Sequence, residues 1–412
     1  FILHHHFFDM KTILCLLLVG SCLLMQETVC GPIMTDIAGS TQFALELLQS
    51  TSDVVAGKYM NVAISPISVW SMLALLKEGS SGKTSMQLQK ALHLSHSQKE
   101  VRTAFRRIQS VFHAANTGVE LENAEAIFTD VNKPLIWQFH YLAENTYNSV
   151  ILPVNYADPY AAVSYINDWV SNVTHREINR IVHEDDVSDP QLVIVNGLFF
   201  KGKWDMPFDT NYTKSETFYD DKGEELGEVM MMKHKAHLRY SSMGDLGARV
   251  VELPYQGGHY SMYIMVPHRG VTLDSVLEQL STTPMDYIYN KMTEEDVDPG
   301  ELVTVMLPRV VVDSDYVLNK ALENMGIVDL FNDAKADLSG ISTENLYLHK
   351  MIHKTRIVIN EEGTVASSAT GGVIGNREMG PVICANRPFL FLIVENSLKL
   401  VLFAGKIVNP HM

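Results

Sequence analysis

N-G-L-F-F-K-G-K-W, residues Asn196 to Trp204, follows directly on an apolar run that opens at Leu192 and marks a change of texture in a chain of 412 residues. Before it, apolar residues recur at helical spacing: Phe43, Leu47 and Leu48, then Val69, Met72, Leu73 and Leu76. Ser65-Pro66 supplies an N-cap residue with proline at the first helical position, so a helix starts there. Further helices are expected over Ser97 to Ala115 and from Ala161 through Tyr165, Trp169 and Val173 toward Ile178. From Leu192 onward the texture is β: Leu192 to Phe200, Ala248 to Leu253, Tyr260 to Val266, Leu302 to Val312 and Thr355 to Ile359 are rich in branched and aromatic residues. A helix is expected over Asp315 to Met325, with Leu318, Leu322 and Met325 on one face and Gly326 just past its end. Phe389 to Val394 and Leu398 to Phe403 are continuously apolar, as strands buried on both faces are. No internal repeat or hydrophilic linker divides the chain, and the pattern predicts a single α+β domain over residues 31–412.

A second stretch stands out for what it lacks. Between Glu361 and Asn386 the chain carries no charge from Gly363 to Asn376 and then meets a lone Arg377. It is rich in Gly, Ser, Thr and Ala and lies between two strongly apolar segments. A loop of that length in a compact protein is usually either functional or disordered.

Hydrophobic residues make up 46% of the chain, ample for a large core. Thirty-two basic against 48 acidic residues give a net charge of -16, which argues against general nucleic-acid binding, since phosphate neutralisation needs surplus Lys and Arg. Met10 and Lys11 precede an apolar run from Ile13 to Met25, the pattern of a secretory signal and too short to span a bilayer. Residues 1–30 are accordingly read as leader and signal peptide, cleaved between Ser21 and Cys30, and the mature protein as extracellular. Cys15 and Cys22 leave with the signal. Cleavage near Ser21 or Cys22 leaves Cys30 and Cys384, whereas cleavage after Cys30 leaves Cys384 alone, and neither implies a disulfide framework. In a secreted chain Asn172 and Asn211, each two residues before a threonine, are glycosylation acceptors.

Searches for catalytic chemistry fail one by one. Gly79 to Thr84 has a phosphate-loop flavour, but the first glycine it would need falls on Lys77, and a helix, not a strand, precedes it, so a helix-to-helix turn is expected. There is no H-E-x-x-H and no C-x-x-C, so no metal or cofactor is implied. A G-x-S-x-G nucleophile elbow is absent too. Lys99, Arg102, Arg106 and Arg107 fall in one expected helix, and the first three are spaced to share a face that could hold a sulfated polysaccharide, although Glu100 dilutes it.

The opening string, followed by Pro207-Phe208, closely resembles the serpin family of protease inhibitors. Ordered matches recur across nearly everything after the signal: S-P-I-S at Ser65 to Ser68, L-P-R-V at Leu307 to Val310, D-L-S-G at Asp337 to Gly340 and N-E-E-G-T at Asn360 to Thr364. N-R-P-F-L-F at Asn386 to Phe391 and L-F-A-G-K-I-V-N-P at Leu402 to Pro410 complete the series. The resemblance implies the serpin fold, with three β-sheets, eight or nine helices and an exposed reactive loop over about residues 361–386. It implies an inhibitor, not an enzyme, and a monomer. Ser65, Ser68, Asn196 and His353 match the polar cluster over which the main sheet opens, and Trp204 and Glu361 the region where the loop enters.

By family spacing the scissile bond is Arg377-Glu378, since Arg377 lies fourteen residues after Gly363 and nine before Asn386. Arg suits a trypsin-like protease with an acidic specificity pocket. Glu378 departs from the small residue common after that bond and selects against proteases acidic on that side. The hinge comprises Glu361, Glu362, Gly363, Thr364, Val365, Ala366, Ser367, Ser368, Ala369 and Thr370. Beyond its two glutamates none of these is large or charged, which suits a segment that must become a buried central strand. The expected activity is therefore suicide-substrate inhibition: the cleaved loop inserts into the main sheet and traps the acyl-enzyme. The competing expectation is a non-inhibitory serpin acting as carrier, storage protein or chaperone, whose hinges often carry bulky, charged or proline residues.

Overall fold

Helical spacing and proline placement govern the first elements of the computed structural model, which describes residues 36–55, 60–112, 118–188, 192–293, 302–362 and 380–411. The expected leader and signal peptide, the hinge from Gly363 to Thr370 and the Arg377-Glu378 bond lie outside the described residues. Among those residues there are nine α-helices: α1 (36–54), α2 (Pro66–Glu78), α3 (Gly82–Ala91), α4 (Gln98–Phe112), α5 (Trp137–Thr146), α6 (Pro159–Val173), α7 (Leu273–Thr282), α8 (Met285–Thr293) and α9 (Asn319–Asn324). None is long and apolar enough to cross a membrane. Helix α2 starts as expected, with Pro66 in its first turn, and every residue from Pro66 to Leu76 is buried. Such an all-round apolar helix belongs in the middle of a core. The Gly79–Thr84 stretch is the turn and first residues of the next helix, as read, with Gly82 at φ 54°.

The strands form three sheets. One has five strands in the order β11 (Val310–Val317), β12 (Lys350–Ile359), β4 (Leu192–Gly202), β2 (Val119–Asp130) and β3 (Val150–Val154). A four-stranded sheet runs β13 (Val382–Cys384), β10 (Val303–Pro308), β6 (Glu225–Ala236) and β5 (Lys214–Tyr219). The third has six strands: β1 (Val62–Ile64), β15 (Leu400–Ile407), β14 (Phe389–Glu395), β9 (Tyr260–Pro267), β8 (Ala248–Pro254) and β7 (Tyr240–Met243). β14 and β15 are buried along their whole length, as their unbroken apolar runs predict. They leave no room for a side chain at Gly405, where a Cβ would stand 2.4 Å from both the Val62 carbonyl oxygen and the Phe391 ring.

Four expectations about elements need correction. The run from Leu302 to Val312 is two strands in two sheets, because Pro308 has no N–H to continue a ladder and the chain changes sheet at Arg309. The helix placed at Asp315 begins only at Asn319: Val310 to Val317 alternates buried and exposed residues with period two, and Asp315 pairs with Lys354 across β12. Gly326, at φ 95°, does terminate it. Helix α6 stops at Val173 short of Ile178, because Thr174 turns its hydroxyl onto the Val170 carbonyl (2.8 Å) and His175 and Arg176 adopt positive φ. The first third, which helical spacing dominates, also holds the unanticipated strands β2 and β3. In β2, Ala124, Ala126 and Phe128 face α6 and pack with Ile166, Val170, Val193 and Val195.

The five-stranded sheet has an uneven centre. β12 pairs with β11 antiparallel and β4 with β2 antiparallel, but β12 and β4 run parallel, in register from Lys350 opposite Val193 to Ile357 opposite Phe200. A segment that left the end of β12, turned back and entered this seam would run antiparallel to both neighbours.

Candidate functional site

A polar cluster bridges that seam. His353 lies directly opposite Asn196 in the β12–β4 register, and both are fully buried. The Ser65 N–H donates to His353 Nε2 at 2.9 Å, so that nitrogen is the acceptor and the proton sits on Nδ1, which donates to Asn196 Oδ1 at 2.8 Å. The same Asn196 oxygen receives the Ser68 hydroxyl at 2.8 Å. Burial with no compensating charge lowers the His353 pKa to about 3, so the ring is neutral under ordinary conditions. Ser65 precedes α2 but does not cap it with its side chain, because its hydroxyl is spent on the Leu402 carbonyl of β15 at 2.8 Å. The four residues expected to meet here therefore do meet, tying α2, β4, β12 and β15 at one point. Thr355, whose hydroxyl lies 2.8 Å from His353 Nε2, is a fifth member that the sequence reading missed. Its signal was available: two residues on from His353 along a strand, it faces the same side.

The far end of β12 is gripped by a second group. Trp204 donates its indole N–H to the Asn360 carbonyl (2.8 Å), and the Phe208 N–H reaches the Glu361 carbonyl (2.8 Å). The Trp204 ring stacks on Tyr255 with centroids 4.5 Å apart and planes 10° from parallel. Glu361 is buried, and its carboxylate faces the Arg309 guanidinium at 3.7 Å. Trp204 and Glu361 thus come together as expected, at the threshold of the hinge. Phe208 and Arg309 stand in the sequence only as motif residues, while Tyr255 carries no local signal, since it arrives from the end of β8 in the six-stranded sheet.

On the other side of the expected reactive loop the described chain resumes and forms β13, parallel to β10 from Val382 opposite Thr304 to Cys384 opposite Met306. Arg249 Nη1 donates to the Val382 carbonyl at 3.1 Å, and the Asn386 carbonyl accepts from the Tyr219 N–H at 2.9 Å. Both ends of the expected reactive loop are therefore anchored.

The basic helix departs from expectation. Arg102 forks onto Glu78 at 2.8 and 2.9 Å, a charge-assisted pair that raises its pKa, and Tyr147 donates to the same carboxylate. Its charge is already answered, which leaves Lys99, Arg106 and Arg107 exposed on α4. Asn172, in the last turn of α6, and Asn211 are both exposed, with the Asn211 amide resting on Asp209 at 2.8 Å.

Comparison with known proteins places this geometry. Residues 38–410 match the family model described as serpin (serine protease inhibitor). Serpin B9 of Homo sapiens is 32% identical over 356 residues, covering 85% of this chain and 93% of its own length. The leukocyte elastase inhibitor of Homo sapiens is 32% identical over 383 residues, 90% of this chain and 99% of its own. The crystal structure of serine protease inhibitor (serpin)-12 from Manduca sexta superimposes with a TM-score of 0.80 at 25% identity, over 91% of this chain and 99% of that one.

Proposed function

The chain belongs to the serpin family, and from that membership we propose that it is a secreted suicide-substrate inhibitor of trypsin-like serine proteases, cleaved between Arg377 and Glu378. The observation that carries the proposal is the parallel seam between β4 and β12, placed where a segment returning from β12 would pair antiparallel with both strands. The segment that follows β12 has the composition such a strand needs. Beyond Glu361 and Glu362, the hinge from Gly363 to Thr370 offers only small or uncharged side chains, and a charge forced beneath the sheet without a partner would cost several kcal/mol. Thr364, Ala366, Ser368 and Thr370 would face one side of the sheet, Val365, Ser367 and Ala369 the other.

In this reading a protease attacks the Arg377 carbonyl, the freed loop enters the seam from the Trp204 end, and the acylated enzyme is carried along. Ser65, Ser68, Asn196 and His353 meter the opening, because the His353–Asn196 bond spans the two strands that must part. Residues 363 to 377 extended reach roughly 50 Å at about 3.3 Å per residue, enough to move an enzyme across the molecule. Every backbone hydrogen bond gained contributes about 1 kcal/mol, so ten inserted residues rival the stability of a whole domain, about 5 to 15 kcal/mol. Secretion rests on the signal-like run from Ile13 to Met25, and glycosylation on the exposure of Asn172 and Asn211.

Incubation with trypsin followed by denaturing electrophoresis tests the proposal. A detergent-stable complex is expected, and Arg377→Ala should abolish it. Clean cleavage at Arg377 without a complex would overturn the inhibitory reading.

A further inference from the structure

Arg249, Arg269 and Arg387 converge at the end of the chain path that leaves the reactive loop. Arg387, between β13 and β14, donates from Nη2 to the Pro267 carbonyl at the end of β9 (2.8 Å). Pro267 lies opposite Ala248 in the β8–β9 register, so the next residue along β8, Arg249, stands beside it and holds the Val382 carbonyl of β13. Arg269 follows Pro267 by two residues and is exposed. Burial above all lowers the pKa of Arg387; Cys384 acts next and in the opposite sense, and the like charges of Arg249 and Arg269 add smaller lowering contributions. Among the described residues none of the three meets a carboxylate, in a protein with 48 acidic and 32 basic residues. Two of these arginines have structural work, fastening β13 and the turn before β14. Arg269 has none, yet its charge adds to the crowding.

Position says what that charge is for. Val382 follows Arg377 by five residues, at most about 16 Å of extended chain. A standard protein interface covers about 800 Å² on each partner, a disc of about 16 Å radius. That reach puts Val382 and the arginine that holds it within the span of a protease footprint centred on the Arg377-Glu378 bond, on its leaving-group side.

We propose that Arg249, Arg269 and Arg387 form a docking surface for an acidic patch on the target protease, beside the cleft that receives the residues after the scissile bond. The proposal rests on Arg377-Glu378 being that bond. Rim charges act on the rate of encounter and on its salt dependence more than on the final complex. Glu378 and the cluster then select jointly: the glutamate disfavours acidic groups close to the bond, and the arginines favour them farther out.

The test measures association rate constants with anionic trypsin, whose surface is acidic and whose specificity pocket takes Arg, at low and at high ionic strength. Arg269→Glu is expected to slow association about three- to tenfold at low salt and much less at high salt, while the yield of covalent complex per cleavage is unchanged. Arg269→Gln should give a smaller effect of the same sign. Lys335→Glu, the same charge change at an exposed lysine in the segment bonded to α3, should alter the rate by less than about twofold. Equal rates for wild type and Arg269→Glu, or equal slowing by Lys335→Glu, would overturn the docking surface while leaving the inhibitory reading intact. Absence of any covalent complex with the wild-type protein would instead remove the reading on which the surface depends.

Discussion

Lowering the pH should unlock the seam between β4 and β12 through a single residue. In the closed sheet His353 has its pKa lowered to about 3 by burial, against an ordinary value of 6.5. Once the strands part and water reaches the ring, the open form binds a proton that the closed form refuses. The closed sheet is therefore fully favoured above pH 6.5 and loses stability as pH falls toward the depressed value, by about 1.4 kcal/mol per pH unit in between. From pH 7.5 to 5.0 the integrated loss is about 2 kcal/mol, or up to about 30-fold in the population of the open form. A synthetic peptide copying residues 363–376 reports that population, because it can be incorporated only into an open seam and has no titrating side chain of its own. Its rate of incorporation should rise several-fold to 30-fold over that interval in the wild-type protein. His353→Gln keeps an acceptor for the Ser65 N–H but cannot be protonated, so its rate should be nearly flat with pH. An equal rise in both proteins would refute the assignment of the seam's pH response to His353.

Other perturbations probe the same machinery. Thr364→Arg would place a charge beneath the inserting strand and should leave cleavage intact while converting inhibitor into substrate, read as loss of the covalent band at unchanged cleavage rate. Trp204→Ala removes both the stack on Tyr255 and the bond to the Asn360 carbonyl, and should cost about 3 to 5 kcal/mol, whereas Trp204→Phe should cost about 1 kcal/mol, as measured by denaturant midpoints. Gly405→Ala would drive a methyl group against the Val62 carbonyl and the Phe391 ring, and should lower the melting temperature or the folded yield by an overpacking cost of about 1 to 3 kcal/mol or more.

Where a feature depends on local chemistry, the chain declares it. Ser65-Pro66 marks the start of α2, Gly326 the end of α9, and the apolar runs around Phe391 and Phe403 the buried strands β14 and β15. Where it depends on a partner from elsewhere, the chain is silent. β2 was passed over because V-E-L-E-N-A-E-A carries Glu and Ala, good helix formers, and its alanines are small for the sake of α6 lying over them. Leu302 to Val312 looked like one strand because branched residues continue through it, although Pro308 already marked the break. The polar cluster was legible through the family resemblance, residue by residue. Tyr255 and the role of Arg309 were not, because both come from contacts between segments far apart in the chain, while Thr355 showed only through the alternation of its own strand. The pairing of Arg102 is hidden for the same reason: nothing in the spacing of its own helix places Glu78 in its path.

The central claim is that the segment after β12 is built to enter the seam, and melting the protein before and after loop cleavage tests it most directly. A protease that cuts within residues 363–376 without forming a complex frees the hinge to insert. Ten or so new backbone hydrogen bonds should then raise the melting temperature by roughly 10 °C or more. An unchanged or lower melting temperature after clean cleavage would contradict insertion, and with it the mechanism proposed for this chain.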